Sequence, residues 1–171
     1  FVDAKTIHID KADGASEKLT FDYAILATGS QPLIIPSLAL DSPRFMDSTS
    51  ALELENIPKS LLVIGGGYIG LELGSVYAAL GSKVTVVEMT PSLLPGADGN
   101  LVNILSKRLR QQMHAILLNT RVAELKEQKN GIRARFEGKN LDKTDQIFDK
   151  VLMAAGRKPV TDGLGIENTQ I

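Results

Sequence analysis

A chain of 171 residues is long enough to bury a core and suits one sizeable domain, or one domain carrying a fragment of another. With 43% hydrophobic residues and 19 basic against 20 acidic side chains, neither disorder nor a polyanion-binding surface is indicated, so nucleic acid is excluded as an expected partner. The absence of cysteine excludes a disulfide scaffold, a thiolate metal site and thiol redox chemistry within these residues.

The longest apolar runs, YAILA at 23–27 and LLVI at 61–64, fall far short of the roughly 20 residues of a membrane span, so a soluble, cytoplasmic protein is expected. The chain begins at Phe1 without a methionine, has no cationic and apolar leader, and ends on Ile171, so it reads as a piece of something longer.

Taken in order, residues 1–30 alternate: KTIHID, the turn-rich KADGASEK, then LTFDYAILATG, a pattern that predicts a hairpin feeding a buried strand. His8, between Ile7 and Ile9, is expected to face solvent rather than to ligate. Pro32, Pro36 and Pro43 make 31–47 a connector and place a domain boundary there. Ser50 followed by Glu53 predicts a capping box opening a short helix, ALELEN, ended by Pro58.

From Leu61 the rhythm changes to alternating strand and helix: LLVI, a helix from Tyr68 to Leu80 stopped by Gly81, then the strand KVTVVE. Asn100 is expected to cap a second helix whose Leu101, Ile104, Leu105 and Leu109 pack on the sheet. HAILLNT predicts a third strand, with His114 structural at its entrance. RVAELKEQ and IRARFEG predict an antiparallel hairpin around Asn130-Gly131, and IFDKVLMAAG a last buried strand ending in GRKP. The fold class expected is α/β: a Rossmann-like parallel sheet with flanking helices plus an antiparallel hairpin.

The stretch VIGGGYIG carries the candidate chemistry. Gly65 permits a tight turn after the strand, Gly66 lies within it, Gly67 lets backbone approach a diphosphate, and Gly70 lets the helix pack close to the sheet. The context required of a dinucleotide-binding turn is a preceding strand, a following helix, and an acid closing the second strand. Glu88 closes KVTVVE, where its carboxylate can accept both adenosine ribose hydroxyls. With Met89 and Thr90 following it, no cation directly offsets repulsion of a 2′-phosphate, so NAD rather than NADP is expected. Glu72 has two readings from spacing alone: an acid favoured by the helix dipole in its first turn, or a ligand.

Three segments in order, YAILATGS, VIGGGYIGLE with VTVVE, and VLMAAGRKP, resemble the pyridine nucleotide-disulfide oxidoreductases, flavoproteins with one FAD-binding and one NAD-binding domain. The run at 46–89, with LPGAD after it, is most similar to the dihydrolipoamide dehydrogenase group. The resemblance implies that 1–35 is the C-terminal edge of the FAD domain, a small β remnant; that 36–155 is the NAD-binding domain; and that 156–171 returns towards the FAD domain. It implies Thr28, Gly29 and Ser30 beside FAD, and Gly65, Gly66, Gly67, Tyr68, Ile69, Gly70, Leu71 and Glu72 around NAD, Glu72 near the nicotinamide end. It further implies Glu88 on the ribose, Val122 against adenine and Gly156 at the nicotinamide. Tyr68 stands either as an aromatic lid over the flavin or as a residue packed at the helix start.

The reaction implied is oxidation of protein-bound dihydrolipoamide through a redox-active disulfide and FAD to NAD, within a homodimer serving a 2-oxo acid dehydrogenase complex. The cysteine pair, the FAD fingerprint and the His-Glu base would lie in FAD and interface domains outside these residues, so the chain alone is expected to be inactive. No catalytic or metal-binding residue is assigned here. Two features depart from the family pattern: Val160 where GRxPN has Asn, and Gly99-Asn100 where an acidic pair is usual. The alternatives are another member of the family, such as a mercuric or glutathione-type reductase, a transhydrogenase or an NADH oxidase, and a stand-alone nucleotide-binding module. A free-standing dehydrogenase is disfavoured, because Tyr23, Tyr68 and Tyr77 lack a lysine four residues on.

Overall fold

The structure, a computed structural model, describes residues 1–138, 141 and 143–170. The chain groups into two compact units, 1–31 with 158–171, and 32–157.

In the first unit, β1 (Thr6–Asp10) and β2 (Ser16–Thr20) form an antiparallel hairpin with Thr6 opposite Thr20 and Asp10 opposite Ser16. Its turn closes by the Lys11 N–H donating to the Ala15 carbonyl, and by the Ala15 N–H donating to the Asp13 carboxylate. His8 is exposed, and among the described residues no group of three or more His, Cys, Asp or Glu side chains is arranged to hold a metal ion. The buried strand expected from YAILA does not form, for Tyr23 and Ile25 are 96% and 94% exposed. A strand needs a neighbour to take its backbone hydrogen bonds, and among the described residues no strand pairs with 22–27. The short strand β3 (Ser30–Pro32) follows.

In the second unit, the proline-rich connector contains a single 3-10 turn, Pro36–Leu38, and leads to β4 (Phe45–Met46). The expected ALELEN helix is instead a 3-10 turn over Ser50–Leu52. Asp47 displaces the expected capping box, its carboxylate accepting the Thr49 and Ser50 N–H groups at 2.8 and 2.9 Å.

Then come β5 (Ser60–Ile64), α1 (Tyr68–Ala79) and β6 (Lys83–Val87). Gly81, at φ +100°, ends α1 in a Schellman arrangement: its N–H donates to the Ala78 carbonyl, and the Ser82 N–H to that of Tyr77. The sequel is α2 (Gly99–Gln112), β7 (Ala115–Leu117), β8 (Thr120–Gln128) and β9 (Gly131–Gly138). IFDKVLMAAG is two strands rather than one: β10 (Asp145–Phe148) and β11 (Lys150–Met153), separated by Asp149. Last comes β12 (Arg157–Pro159), which pairs with β3.

β4, β11, β5, β6 and β7 form, in that order, a parallel sheet; β10, β9 and β8 form an antiparallel one. The period-2 alternation of β5 builds two cores at once. Leu61 and Val63 pack with Leu71, Leu73 and Tyr77 of α1, while Leu62 and Ile64 pack with Val122, Ile132 and Phe136 of the antiparallel sheet. Burial on both faces explains why LLVI is a continuous apolar run.

α2 differs from expectation in phase. Asp98 caps it, accepting the Asn100 N–H at 2.8 Å, and Val102, Leu105 and Leu109 face the core while Leu101 and Ile104 are 69% and 70% exposed. Both sets lie on a helical stripe; Val102 and Leu109 share the core with buried Met113, through which the chain leaves for β7, so that set faces inward. No helix of the described residues is long and apolar enough to cross a membrane.

Candidate functional site

The turn after β5 is shaped by two glycines that have no room for a side chain. Gly65 stands at φ +114°, and a Cβ there would lie 2.3 Å from the carbonyl oxygen of Ala154, the residue after β11. A Cβ on Gly70 would lie 2.2 Å from the Gly65 carbonyl oxygen, so α1 can enter this close to the sheet only without one. Gly67 is different: its backbone is extended, at φ −76° and ψ 176°, and a Cβ would meet nothing within 4 Å. No side-chain hydrogen bond caps α1, so its first-turn N–H groups have no side-chain acceptor beside an open glycine.

Glu88, one residue past β6, is half-buried with both carboxylate oxygens engaged. Oε2 accepts the Gly66 N–H at 2.7 Å and Oε1 accepts the Thr90 N–H at 2.8 Å. The acid is thereby fastened to the glycine turn across the β5–β6 ladder, with its second lone pairs left for further donors.

A cleft of about 690 Å³ opens over this turn. Of the residues singled out in the sequence, Gly65, Gly67, Tyr68, Ile69, Glu88, Val122 and Gly156 line it together. Gly66 lies beneath, joined to Glu88. Gly70 and Leu71 are buried residues of α1. Glu72 is exposed, does not line the cleft, and is the fifth residue of α1, past the first turn where the dipole reading put it. Thr28, Gly29 and Ser30 belong to the other unit, where the Thr28 hydroxyl donates to the Val160 carbonyl at 2.6 Å.

Several lining residues escaped the sequence reading. Leu38, 4% exposed, forms part of the floor from within the proline-rich connector, whose composition signals irregular backbone but not burial. Arg157 follows Gly156 in the quoted GRKP and donates to the Ser48 hydroxyl at 3.1 Å. Asp47 is coupled to the same corner. Burial alone would raise its carboxyl, but the Ser50 and Thr49 N–H groups, the Ser50 hydroxyl and the Arg157 charge together hold it below the ordinary value. Arg121, beside Val122, also lines the cleft, although strand alternation would place the two on opposite faces.

A parallel sheet bearing helices, a glycine turn after its first long strand and an acid closing the next define a Rossmann-like α/β fold. The chain belongs to the pyridine nucleotide-disulphide oxidoreductase family, whose model matches residues 1–171. Among curated relatives, a dihydrolipoyl dehydrogenase of Geobacillus stearothermophilus is 42% identical over 171 residues, 100% of this chain and 36% of its own length. One from Vibrio cholerae is 42% identical over 159 residues, 93% of this chain and 33% of its own. The chain thus spans about a third of the length of these relatives. Among solved structures, the Cu(II) complex of the HOCl-induced flavoprotein disulfide reductase RclA from Escherichia coli superposes with a TM-score of 0.81 at 29% identity, covering 100% of this chain and 38% of that one.

Proposed function

We propose that the cleft over residues 65–70 binds NAD(H), and that the chain is the nucleotide-binding part of a flavin-dependent dihydrolipoyl dehydrogenase. The observation that carries the reading is the contrast within the turn: Gly65 and Gly70 are required by the fold, whereas Gly67 is bare towards open space. A bare extended glycine beside uncapped helix N–H groups fits a diphosphate, which needs close backbone approach.

The residues have separable tasks. The N-terminus of α1 stabilises an anion by about 0.3 to 2 kcal/mol, so direct N–H contacts and burial of the adenosine against Val122 and Leu38 supply the rest. Glu88, held by Gly66 and Thr90, orients the ribose through its remaining lone pairs. A 2′-phosphate about 4 Å from that carboxylate would meet repulsion of roughly 1 to 4 kcal/mol per unit charge, which favours NAD over NADP. Gly156 and Tyr68 line the same cleft and are assigned to the nicotinamide end, Glu72 standing outside the cleft lining. NAD, when bound, supplies a hydride acceptor.

In the whole protein, dihydrolipoamide would be oxidised through a disulfide and FAD supplied by residues other than these, since this chain holds no cysteine. The 1–31 segment is assigned to the FAD side. There Val160 engages both neighbours of the turn, its carbonyl accepting from the Thr28 hydroxyl and its N–H donating to the Gly29 carbonyl. A homodimer and a 2-oxo acid dehydrogenase complex as partner belong to the same reading, as does a lack of activity in this chain alone. A second reading, another flavoprotein disulfide reductase, is favoured by the superposition on RclA.

Calorimetric titration with NADH and NADPH tests the cofactor assignment. NADH binding at least tenfold tighter is expected; equal affinities or tighter NADPH count against Glu88 as the selector. Dihydrolipoamide–NAD turnover by the intact gene product separates the two enzyme readings.

A further inference from the structure

Beyond Glu88 the cleft continues into a recess of about 300 Å³ that shares Met89, Thr120 and Arg121 with it. Main-chain bonds hold the recess against the acid. The Thr120 N–H donates to the Glu88 carbonyl at 3.0 Å, and the Asn119 N–H to the Thr90 carbonyl at 3.0 Å. Arg121 therefore enters β8 one residue after the chain touches Glu88. Across the ladder its register partner is Glu137, whose carboxylate accepts from Nε at 2.9 Å and also from Nη2. Gly138 allows this closure, for a Cβ there would lie 2.8 Å from both the Asn119 carbonyl oxygen and the Thr120 hydroxyl.

We infer that Glu137 is a specificity-determining residue: by holding the Arg121 guanidinium it withholds from a 2′-phosphate the cation that lines the same cleft as Glu88. The inference rests on the nucleotide reading of the cleft. Among the described residues lining the recess Arg121 is the one cation, and Glu137 the carboxylate set against it. The side chains of the pair are 64% and 50% exposed, so the bond adds little to stability and its consequence lies in the charge it leaves in the recess. Counted with Glu88 of the adjoining cleft, there are two carboxylates for one guanidinium, and a phosphate dianion on the ribose is repelled. Without Glu137 the guanidinium becomes a bidentate phosphate donor at the rim of the ribose site. The sequence conceals this cation because it lies 33 positions beyond Glu88 rather than directly after it.

The test is calorimetric titration of the chain with NADH and with NADPH, for wild type, Glu137→Gln, Arg121→Ala and the double variant. The series is repeated with Glu88→Gln, which brings NADPH into a measurable range. Glu137→Gln is expected to tighten NADPH binding about three- to tenfold and to leave NADH within about twofold, with the gain abolished by Arg121→Ala. Circular dichroism and thermal midpoints establish that each variant is folded, and Glu137→Ser serves if Glu137→Gln is not. A gain that survives Arg121→Ala, an equal gain for both nucleotides, or no gain overturns the inference while normal NADH binding leaves the cofactor reading standing. Failure of the wild type to bind NADH overturns both.

Discussion

The Glu88 carboxylate accepts the Gly66 N–H at 2.7 Å, so the acid at the end of β6 and the turn at the end of β5 form one unit rather than two neighbouring features. With the Thr90 N–H on its other oxygen, the carboxylate is oriented before any ligand arrives. Glu88→Gln disturbs both functions at once, because one end of an amide must turn its NH2 towards an N–H donor. The expected result is about tenfold weaker NADH binding, a smaller NADH-to-NADPH preference, and a stability loss of about 1 to 2 kcal/mol from the N–H left unpaired. Titration calorimetry and urea unfolding read these separately, and an unchanged nucleotide preference would contradict the selector role.

The glycines of the turn separate fold from binding. Gly65→Ala and Gly70→Ala place a methyl into backbone carbonyl oxygens at 2.3 and 2.2 Å, the first also at a φ of +114°. Each should destabilise the chain by about 2 to 3 kcal/mol. Gly67→Val adds a larger side chain at an extended position with open space around it, and should cost less than about 1 kcal/mol. It should nevertheless weaken NADH binding more than tenfold by filling the place of the diphosphate. Thermal unfolding of the three variants beside NADH titration checks the contrast. A valine variant that binds normally would reduce the turn to a structural corner.

What could be read from sequence follows the range of the interactions involved. The β5–α1–β6 unit is local: a buried run, the spaced glycines Gly65, Gly67 and Gly70, and a strand-closing acid lie within 28 residues, and each signals itself. YAILA has the composition of a buried strand, but burial depends on a partner strand that composition does not reveal. The α2 stripe fits a helical period in two phases, and only its packing through Met113 chooses Val102 over Leu101. In the cleft, Glu88 is legible from its place at the end of the second strand, whereas Val122 comes only from the family resemblance. Arg157 and Leu38 arrive through the return of β11 and through an irregular connector, both long-range in sequence.

Ser60 and Asp149 clasp each other, the Ser60 N–H donating to the Asp149 carboxylate at 2.9 Å and the Asp149 N–H to the Ser60 hydroxyl at 3.0 Å. Asp149 is the residue at which the chain leaves the antiparallel sheet for the parallel one, so the exchange pins the start of β5 to that crossing. Asp149→Ala should lose about 1 to 2 kcal/mol, because it leaves a partly buried N–H without its acceptor, while NADH affinity stays within about twofold. Asp149→Asn retains an acceptor and should recover part of the loss. Urea midpoints with parallel titrations measure both; a large change in affinity would show that the crossing is coupled to the cleft.

Asp47 gives the chain a specific acid sensitivity. Burial opposes ionisation, yet the N–H groups of Ser50 and Thr49, the Ser50 hydroxyl and the Arg157 charge prevail and hold its carboxyl below the ordinary 3.8. A depressed folded value means that the carboxylate stabilises the fold above the unfolded value, and that this contribution fades as pH falls through the folded one. Asp47→Asn keeps an oxygen for the Thr49 and Ser50 N–H groups and removes the charge that faces Arg157. The variant should therefore be less stable than wild type at pH 7, with the gap narrowing below about pH 4 and closing as wild-type Asp47 protonates. Because other carboxylates titrate in both proteins, the informative quantity is the difference between their urea midpoints at pH 7 and pH 3. A constant difference would mean that the Asp47 charge contributes nothing, and that the 3-10 turn stands on its hydrogen bonds alone.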